Sequence, residues 1–212
     1  MIKTQNASDG TLKKLLAWGD SDKRTEAVMI PAKNRRTACL SSQVGCPVGC
    51  TFCASGMGGL EVNLTTSQII EQILRLDSDS ITNVVFMGMG EPLANYNNVT
   101  RAIRILNAPW GLGIGARKIT VSTVGLPASI TRLAAFDIPV TLALSLHAPN
   151  DEIRKELIPW AEFASIEEIL KSCDQYFAAT GREITLEYLL LDGVNDRVAH
   201  AKELIDLCKS LR

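Results

Sequence analysis

From residue 37 onward, short apolar runs rich in β-branched residues alternate with segments whose apolar residues recur at helical spacing. That alternation belongs to βα units feeding a parallel sheet. The strand-type runs are 38–44, 84–89, 119–124, 140–146 and 184–191. Between the first two, Thr65-Thr66-Ser67-Gln68 offers a helix start of the capping-box type, and Ile69, Ile70, Ile73 and Leu74 then share one apolar face. Further helices are predicted over 98–106, over 127–135 with Pro127 in a first turn, over 166–178 and over 199–211. The expected fold class is therefore α/β, a parallel barrel-type sheet with about five βα units. Ahead of it, Leu15-Leu16-Ala17-Trp18 and Ala27-Val28-Met29-Ile30 flank a polar turn at 19–23, which predicts a short β-hairpin. The expected organisation is an amino-terminal extension over 1–36 and a core over 37–212. The last helical pattern reaches the end of the chain, so the series is expected to continue in a further strand.

No apolar run approaches the roughly 18–20 residues that cross a bilayer, and polar residues follow Met1 where a secretory signal needs an apolar stretch. A membrane-spanning protein is therefore not expected, and a reducing cytoplasm is the expected compartment. The net charge of −1 gives no global attraction to nucleic acid. Residues 1–38, however, hold eight Lys or Arg against four Asp or Glu. Such a basic segment either meets phosphates or forms a solvated surface, and charge alone favours the surface.

Cys46, Cys50 and Cys53 form a C-x3-C-x2-C run. Three thiolates at that spacing can hold three corners of a cubane iron–sulfur cluster, and the fourth iron, lacking the usual fourth cysteine, keeps an open position for a small molecule. A structural zinc site wants four Cys or His ligands, and His147 and His200 lie far off with no paired spacing. A disulfide framework is disfavoured by the missing secretory signal and by the crowding of four of the six cysteines into 39–53.

In parallel βα folds, ligands gather at the carboxyl ends of the strands. The cysteine run follows the first predicted strand and Gly88-Met89-Gly90-Glu91-Pro92 the second, while Ser122 and Ser145-Leu146-His147 close the third and fourth. These segments are expected to converge on one mouth. The glycines allow a close backbone approach, and Glu91 can accept hydrogen bonds from an amine. Taken singly, each strand-end residue is more often ordinary punctuation than a ligand.

Together these features resemble the radical S-adenosylmethionine superfamily. At finer grain, Glu26 before a Pro31 turn, Cys39-Leu-Ser-Ser-Gln-Val-Gly-Cys46, Cys50-Thr-Phe-Cys53, Phe86-Met-Gly-Met-Gly-Glu-Pro92, Ser122-Thr-Val-Gly125, Leu144-Ser-Leu-His-Ala-Pro149 and Leu191-Asp-Gly-Val-Asn-Asp196 are similar to the RlmN/Cfr family of RNA adenine methyltransferases. The resemblance implies a partial (βα)6-type radical SAM barrel with a [4Fe-4S] cluster and S-adenosylmethionine as cofactors. It implies methylation of adenine C2 in 23S rRNA and tRNA through a methyl-cysteine intermediate, or of C8 in Cfr-like members. It implies Cys46, Cys50 and Cys53 as cluster ligands, and Gly90, Glu91, Ser122, Ser145, Leu146 and His147 as cofactor contacts. Cys39 matches the cysteine that resolves the protein–RNA adduct by disulfide formation, and Glu26 the proton acceptor. A small reducing flavoprotein is the implied electron donor and a monomer the implied state.

The chain departs from the family where the methyl-accepting cysteine is expected, in a Gly-rich segment near the carboxyl terminus. Cys173 continues the stripe Ile166, Ile169, Leu170 and Phe177, and Cys208 continues Leu204, Ile205 and Leu211, so both are predicted to be inert core thiols. The family's separate amino-terminal RNA-binding domain is also largely missing. The expectation is thus an RlmN-like core truncated at both ends that binds its cofactors without completing methylation alone. The alternative is a catalytically incomplete metal- or RNA-binding module.

Overall fold

The computed structural model describes residues 3–19, 22–77 and 80–210. Ten strands and six helices are present among them: β1 Lys3–Asn6, β2 Leu12–Ala17, β3 Arg24–Ala32, β4 Arg35–Cys39, β5 Gln43–Gly45, β6 Leu60–Asn63, α1 Thr66–Leu74, β7 Asn83–Phe86, α2 Tyr96–Asn107, β8 Ile119–Thr123, α3 Pro127–Ala134, β9 Thr141–Ser145, α4 Asp151–Leu157, α5 Ile166–Thr180, β10 Ile184–Glu187 and α6 Val198–Ser210. Eight strands form one sheet in the order β1-β2-β3-β4-β7-β8-β9-β10. Strands β4, β7, β8, β9 and β10 run parallel, which bears out the α/β reading and its five units. The predicted hairpin is β2 with β3, antiparallel from Leu12 opposite Met29 to Ala17 opposite Arg24. Part of its turn, and the last predicted residue of the final helix, lie outside the described residues. Strand β3 pairs in turn with β4, so the hairpin continues the parallel sheet at one side, and β1 extends it further.

Local chemistry explains the boundaries. At α1 the predicted capping box is present in both directions: Gln68 N donates to Thr65 Oγ1 at 3.3 Å and Thr65 N to Gln68 Oε1 at 2.9 Å. Such a cap contributes about 1 kcal/mol. Ile69 and Ile73 are fully buried on this helix, each stabilising by about 2 kcal/mol through burial alone. Helix α5 opens on a second box, Ser165 with Glu168, and stops at Gly181, whose φ of 65° continues no right-handed helix. The first predicted strand, 38–44, divides in two. Strand β4 ends at Cys39, and Ser41 N donates to Gln72 Oε1 of α1 (2.8 Å) while Gln72 Nε2 donates to Ser41 O (2.9 Å). Leu40 N still donates to Val85 O at 2.9 Å and Ser42 N to Met89 O at 2.8 Å, but the regular ladder ends there, and Gln43–Gly45 pair instead with β6 in a separate hairpin.

The principal core fills the space between the sheet and its helices, with Phe86, Ile103, Ile119, Leu142 and Tyr176 among its buried residues. A second, smaller core of Val48, Val124, Leu157, Ile158 and Ala161 supports the loop that carries Cys46 and Cys50. Cys173 is buried, as its stripe predicts, but Cys208 is exposed. Helix α6 meets the core through Leu204 and Leu207, and Ile205 and Cys208 lie on its outer side. No described helix is long and apolar enough to cross a membrane.

Candidate cofactor site at the strand ends

One cleft collects the carboxyl ends of the parallel strands. Cys46, Cys50, Cys53, Gly88, Gly90, Glu91, Ser122, Ser145 and His147 all line it, with Val48, Phe52, Ile158 and Glu187. Segments far apart in the chain, from Cys46 to Glu187, thus meet, as strand-end geometry requires.

The cysteine loop is fixed at both ends. Cys46 N donates to Gly59 O at 3.0 Å, Cys53 N to Cys50 O at 3.0 Å, and Thr51 N to Leu157 O of α4 at 2.9 Å. All three thiols are free and half-buried. Burial pushes the Cys50 thiol up to about 12, and the neighbouring Cys46 and Cys53 push it further. Burial likewise raises Cys46, with Glu91 and Cys53 adding to the effect. The three cysteines line the same cleft, which accounts for this mutual influence. Among the described residues, no three Cys, His, Asp or Glu side chains converge on the coordination sphere of a single ion. Three cysteine ligands suit a cubane with one open iron, whereas structural zinc takes four Cys or His ligands.

The second wall is the glycine loop. Gly90 has φ +100°, and a Cβ there would lie 2.6 Å from Gln43 Cβ. A Cβ at Gly88 would lie 2.7 Å from Ser41 Oγ. Only glycine allows this approach. Ser41 Oγ accepts from Met89 N (2.9 Å) and donates to Glu26 O (2.7 Å), and Gln43 Oε1 accepts from Glu91 N (2.8 Å), so the motif before the cluster cysteines holds the loop. Glu91 is 4% exposed. Its two carboxylate oxygens accept from Leu93 N (2.9 Å) and Val124 N (2.8 Å). Burial outweighs these bonds and raises its pKa to about 7. The Thr123 side chain is a further partner of the carboxylate, which leaves acceptor capacity for about one more donor, such as a ligand amine.

The third wall is polar. Glu187 Oε2, at the end of β10, accepts from Ser122 Oγ (3.0 Å) and Ser145 Oγ (2.8 Å). The His147 backbone is left-handed, φ 57°, a conformation rare for a side-chain-bearing residue. Asn195, 1% exposed, stabilises it: its Nδ2 donates to His147 O (2.7 Å) and Leu189 O (2.8 Å), and its Oδ1 accepts from Leu191 N (2.7 Å). Leu189 N donates to His147 Nδ1 (3.1 Å), so the neutral ring carries its proton on Nε2. Burial lowers the His147 pKa, and the ring meets Phe52 edge-on at 5.1 Å.

Three of the expected residues stand elsewhere. Leu146 is fully buried in the principal core; its backbone, not its side chain, serves the site, with N donating to Glu187 O at 3.0 Å. Cys39 lies behind the lining at the end of β4, its thiol raised to about 11 by burial and partly relieved by the Met87 N–H. Glu26 sits on β3 with its half-exposed side chain paired to Lys13 at 2.9 Å, and reaches the glycine loop only through its carbonyl. Glu187 and Arg154 carry no site signal in the sequence, and Asn195 is visible there only as part of the 191–196 motif, with no role attached to it. Glu187 was hidden because the predicted strand ran on to 191; a strand stopping at 187 would have put it in the same class as Ser122 and Ser145. Arg154 lies on α4, for which only the cap-type Asn150-Asp151-Glu152 gives a signal.

The profile of the Radical SAM superfamily matches residues 40–207. A probable dual-specificity RNA methyltransferase RlmN of Gloeobacter violaceus is 46% identical over all of this chain, which covers 61% of that protein. The corresponding protein of Thermotoga neapolitana is 50% identical over 96% of the chain and 60% of its own length. The crystal structure of a radical SAM methyltransferase from Sphaerobacter thermophilus superposes with a TM-score of 0.94 at 44% identity, covering 99% of this chain and 63% of that one. The chain spans about 60% of the length of the curated relatives it matches. The superfamily's cofactors are a [4Fe-4S] cluster and S-adenosylmethionine, and the three thiols beside the glycine loop fit them. The chain belongs to the Radical SAM superfamily and is RlmN-like over its length.

Proposed function

We propose that this chain is the cofactor-binding core of an RNA methyltransferase that modifies adenine C2 in 23S rRNA and tRNA by way of a methyl-cysteine. The observation that carries the reading is the convergence of Cys46, Cys50 and Cys53 with Gly90, Glu91, Ser122, Ser145 and His147 on one cleft, in a chain similar to proteins named for RNA methylation. Cys46, Cys50 and Cys53 would hold the cluster, which when bound supplies the single electron that splits the sulfonium of S-adenosylmethionine. Gly90 lets the loop close on Gln43, whose Oε1 holds the Glu91 backbone, and Glu91 accepts from the cofactor's ammonium. The Ser122 and Ser145 hydroxyls offer hydrogen bonds to its polar groups, and Phe52, Val48 and Ile158 give the cleft an apolar, water-poor side.

Cys39 resolves the protein–RNA adduct with a disulfide in this reading, and Glu26 accepts the proton. Both stand outside the cleft lining, so both act only after a change in the Met87 and β3 segments. Neither Cys173 nor Cys208 lines the cleft, and neither serves as the methyl-accepting cysteine. Exposed Lys23, Arg24, Lys33, Arg35 and Arg36 near the β2–β3 and β3–β4 turns supply positive charge for RNA. The protein acts as a cytoplasmic monomer and takes its electron from a small flavoprotein.

Anaerobic reconstitution with iron and sulfide tests this. The expected result is about four irons per chain and, with dithionite, conversion of S-adenosylmethionine to 5′-deoxyadenosine. Uptake of zinc instead of iron, or a reduced cluster that leaves S-adenosylmethionine intact, would overturn the reading.

A further inference from the structure

Arg154 is the largest side chain in the structure with under 2% of its surface exposed. A buried charge normally needs a partner of opposite sign, because its lost hydration costs several kcal/mol. Among the described residues no carboxylate lies within ion-pair distance of it. Its guanidinium instead donates to three backbone carbonyls: Nε to Leu146 O at 3.2 Å, and Nη2 to Val124 O and, at 3.5 Å, to Ser145 O. Those carbonyls belong to the segments that close β8 and β9. Val124 also donates its N–H to Glu91, so one residue is polarised from both sides, by a buried carboxylate at its nitrogen and a buried guanidinium at its carbonyl.

The helix that carries Arg154 also holds the cysteine loop. Asn150 caps α4 by accepting from Ile153 N at 3.0 Å. One turn beyond Arg154, Leu157 O accepts from Thr51 N at 2.9 Å, and Leu157 and Ile158 pack with Val48, Cys46 and Cys50 in the second core. Helix α4 is thus a strut between the thiols and the strand ends. Carbonyl partners satisfy hydrogen bonds but cancel no net charge, so the positive charge of Arg154 stays within the site, one helix turn from the residues that pack against Cys46 and Cys50.

We propose that Arg154 is a positioning residue that ties the ends of β8 and β9 to the cysteine loop, and that its buried positive charge makes the cluster on Cys46, Cys50 and Cys53 easier to reduce by one electron. The inference rests on the cofactor reading above. Cluster potentials respond to local net charge and burial, and a fixed cation stabilises the more negative, reduced state. Asp151, on the same helix, is the carboxylate whose charge opposes that of Arg154 most strongly.

The test is an EPR-monitored redox titration of the reconstituted 212-residue chain with dithionite as reductant. Arg154→Met removes the charge and is expected to move the midpoint to a more negative value than wild type, whereas Arg154→Lys, which keeps the charge, stays closer to wild type. Asp151→Asn keeps the oxygen that accepts from Ile166 N at 2.8 Å and is expected to move the midpoint the other way. A midpoint for Arg154→Met at or above that of wild type overturns the proposal. If that variant takes up no iron, Asp151→Asn decides: an unmoved or more negative midpoint overturns the proposal equally. Failure of the wild-type chain to take up iron would instead overturn the cofactor reading itself.

Discussion

The glycine loop allows a controlled comparison, because two glycines share a positive φ and differ in what surrounds them. Gly90 has φ +100° and its missing Cβ would fall 2.6 Å from Gln43 Cβ and 2.8 Å from Gln43 Oε1; Gly113 has φ +60° and nothing within 4 Å. Replacement by alanine at Gly113 therefore costs only the left-handed backbone, about 1–2 kcal/mol. At Gly90 the same backbone cost is joined by overpacking, a further 1–3 kcal/mol or so. Gln43 has little freedom to yield, since its Oε1 accepts from Glu91 N and its Nε2 donates to Asn63 Oδ1 at 2.7 Å. In urea unfolding followed by circular dichroism, with a slope of about 2–3 kcal/mol per molar, Gly90→Ala should fall below Gly113→Ala in midpoint by roughly 0.3–1.5 M. Gly90→Ala should also weaken S-adenosylmethionine binding by calorimetry, because a displaced Gln43 drags the Glu91 backbone with it. Equal midpoints for the two variants would show that the close approach to Gln43 carries no energy, and the account of the loop would be wrong.

Four further outcomes follow from particular side chains. Glu91 has a folded pKa of about 7 against an ordinary 4.5, so its contribution favours the folded state below about pH 4.5 and is lost as pH rises to about 7, a fall of roughly 3 kcal/mol. Glu91→Gln should abolish that fall, and a difference between wild type and variant that stays constant from pH 4.5 to 8 in urea midpoints would contradict it. Alkylation of Cys39, raised to about 11 by burial, should still climb tenfold per pH unit between pH 8 and 10 when followed by peptide mass spectrometry; a plateau below pH 9 would refute the burial argument. Serine at Cys46, Cys50 or Cys53 should each reduce bound iron to background, while serine at Cys173 or Cys208 leaves it intact, by colorimetric iron analysis. Asn195→Ala removes acceptance from Leu191 N and donation to His147 O and Leu189 O, and thermal unfolding should show a loss of about 2–4 kcal/mol.

The elements were legible where a local rule and the tertiary environment agree. The helix after Thr65 is readable because its cap and its apolar face coincide, and strand β9 because Leu142-Ala143-Leu144 is a short continuous apolar run of the kind buried parallel strands carry. The first strand was misjudged in length because Ser41 and Gln43 are polar residues whose hydrogen bonds run to α1 and to the glycine loop, a tertiary fact with no periodic signature. Cys208 was assigned to a core because its spacing continues an apolar stripe, yet α6 buries only the side marked by Leu204 and Leu207. Spacing identifies a face of a helix but not how wide a face is covered.

The candidate site divides along the same line. Residues that act on a ligand were visible because their chemistry narrows the choice: three thiols for iron, two glycines for close approach, a carboxylate and hydroxyls at strand ends. Residues that hold those groups were not, because a buried Arg154 bonded to carbonyls and a buried Asn195 bonded to the His147 backbone could each sit in any helix or loop as far as the sequence tells. Their positions matter more than their types. Asn195 keeps His147 in a backbone conformation it would otherwise leave, and Arg154 joins strand ends to the cysteine loop through a helix that touches both. The ligand-facing groups of this fold are thus selected by reactivity and the supporting ones by geometry. A substitution that preserves the first set while loosening the second is expected to leave the donor residues intact and the cleft they line disordered.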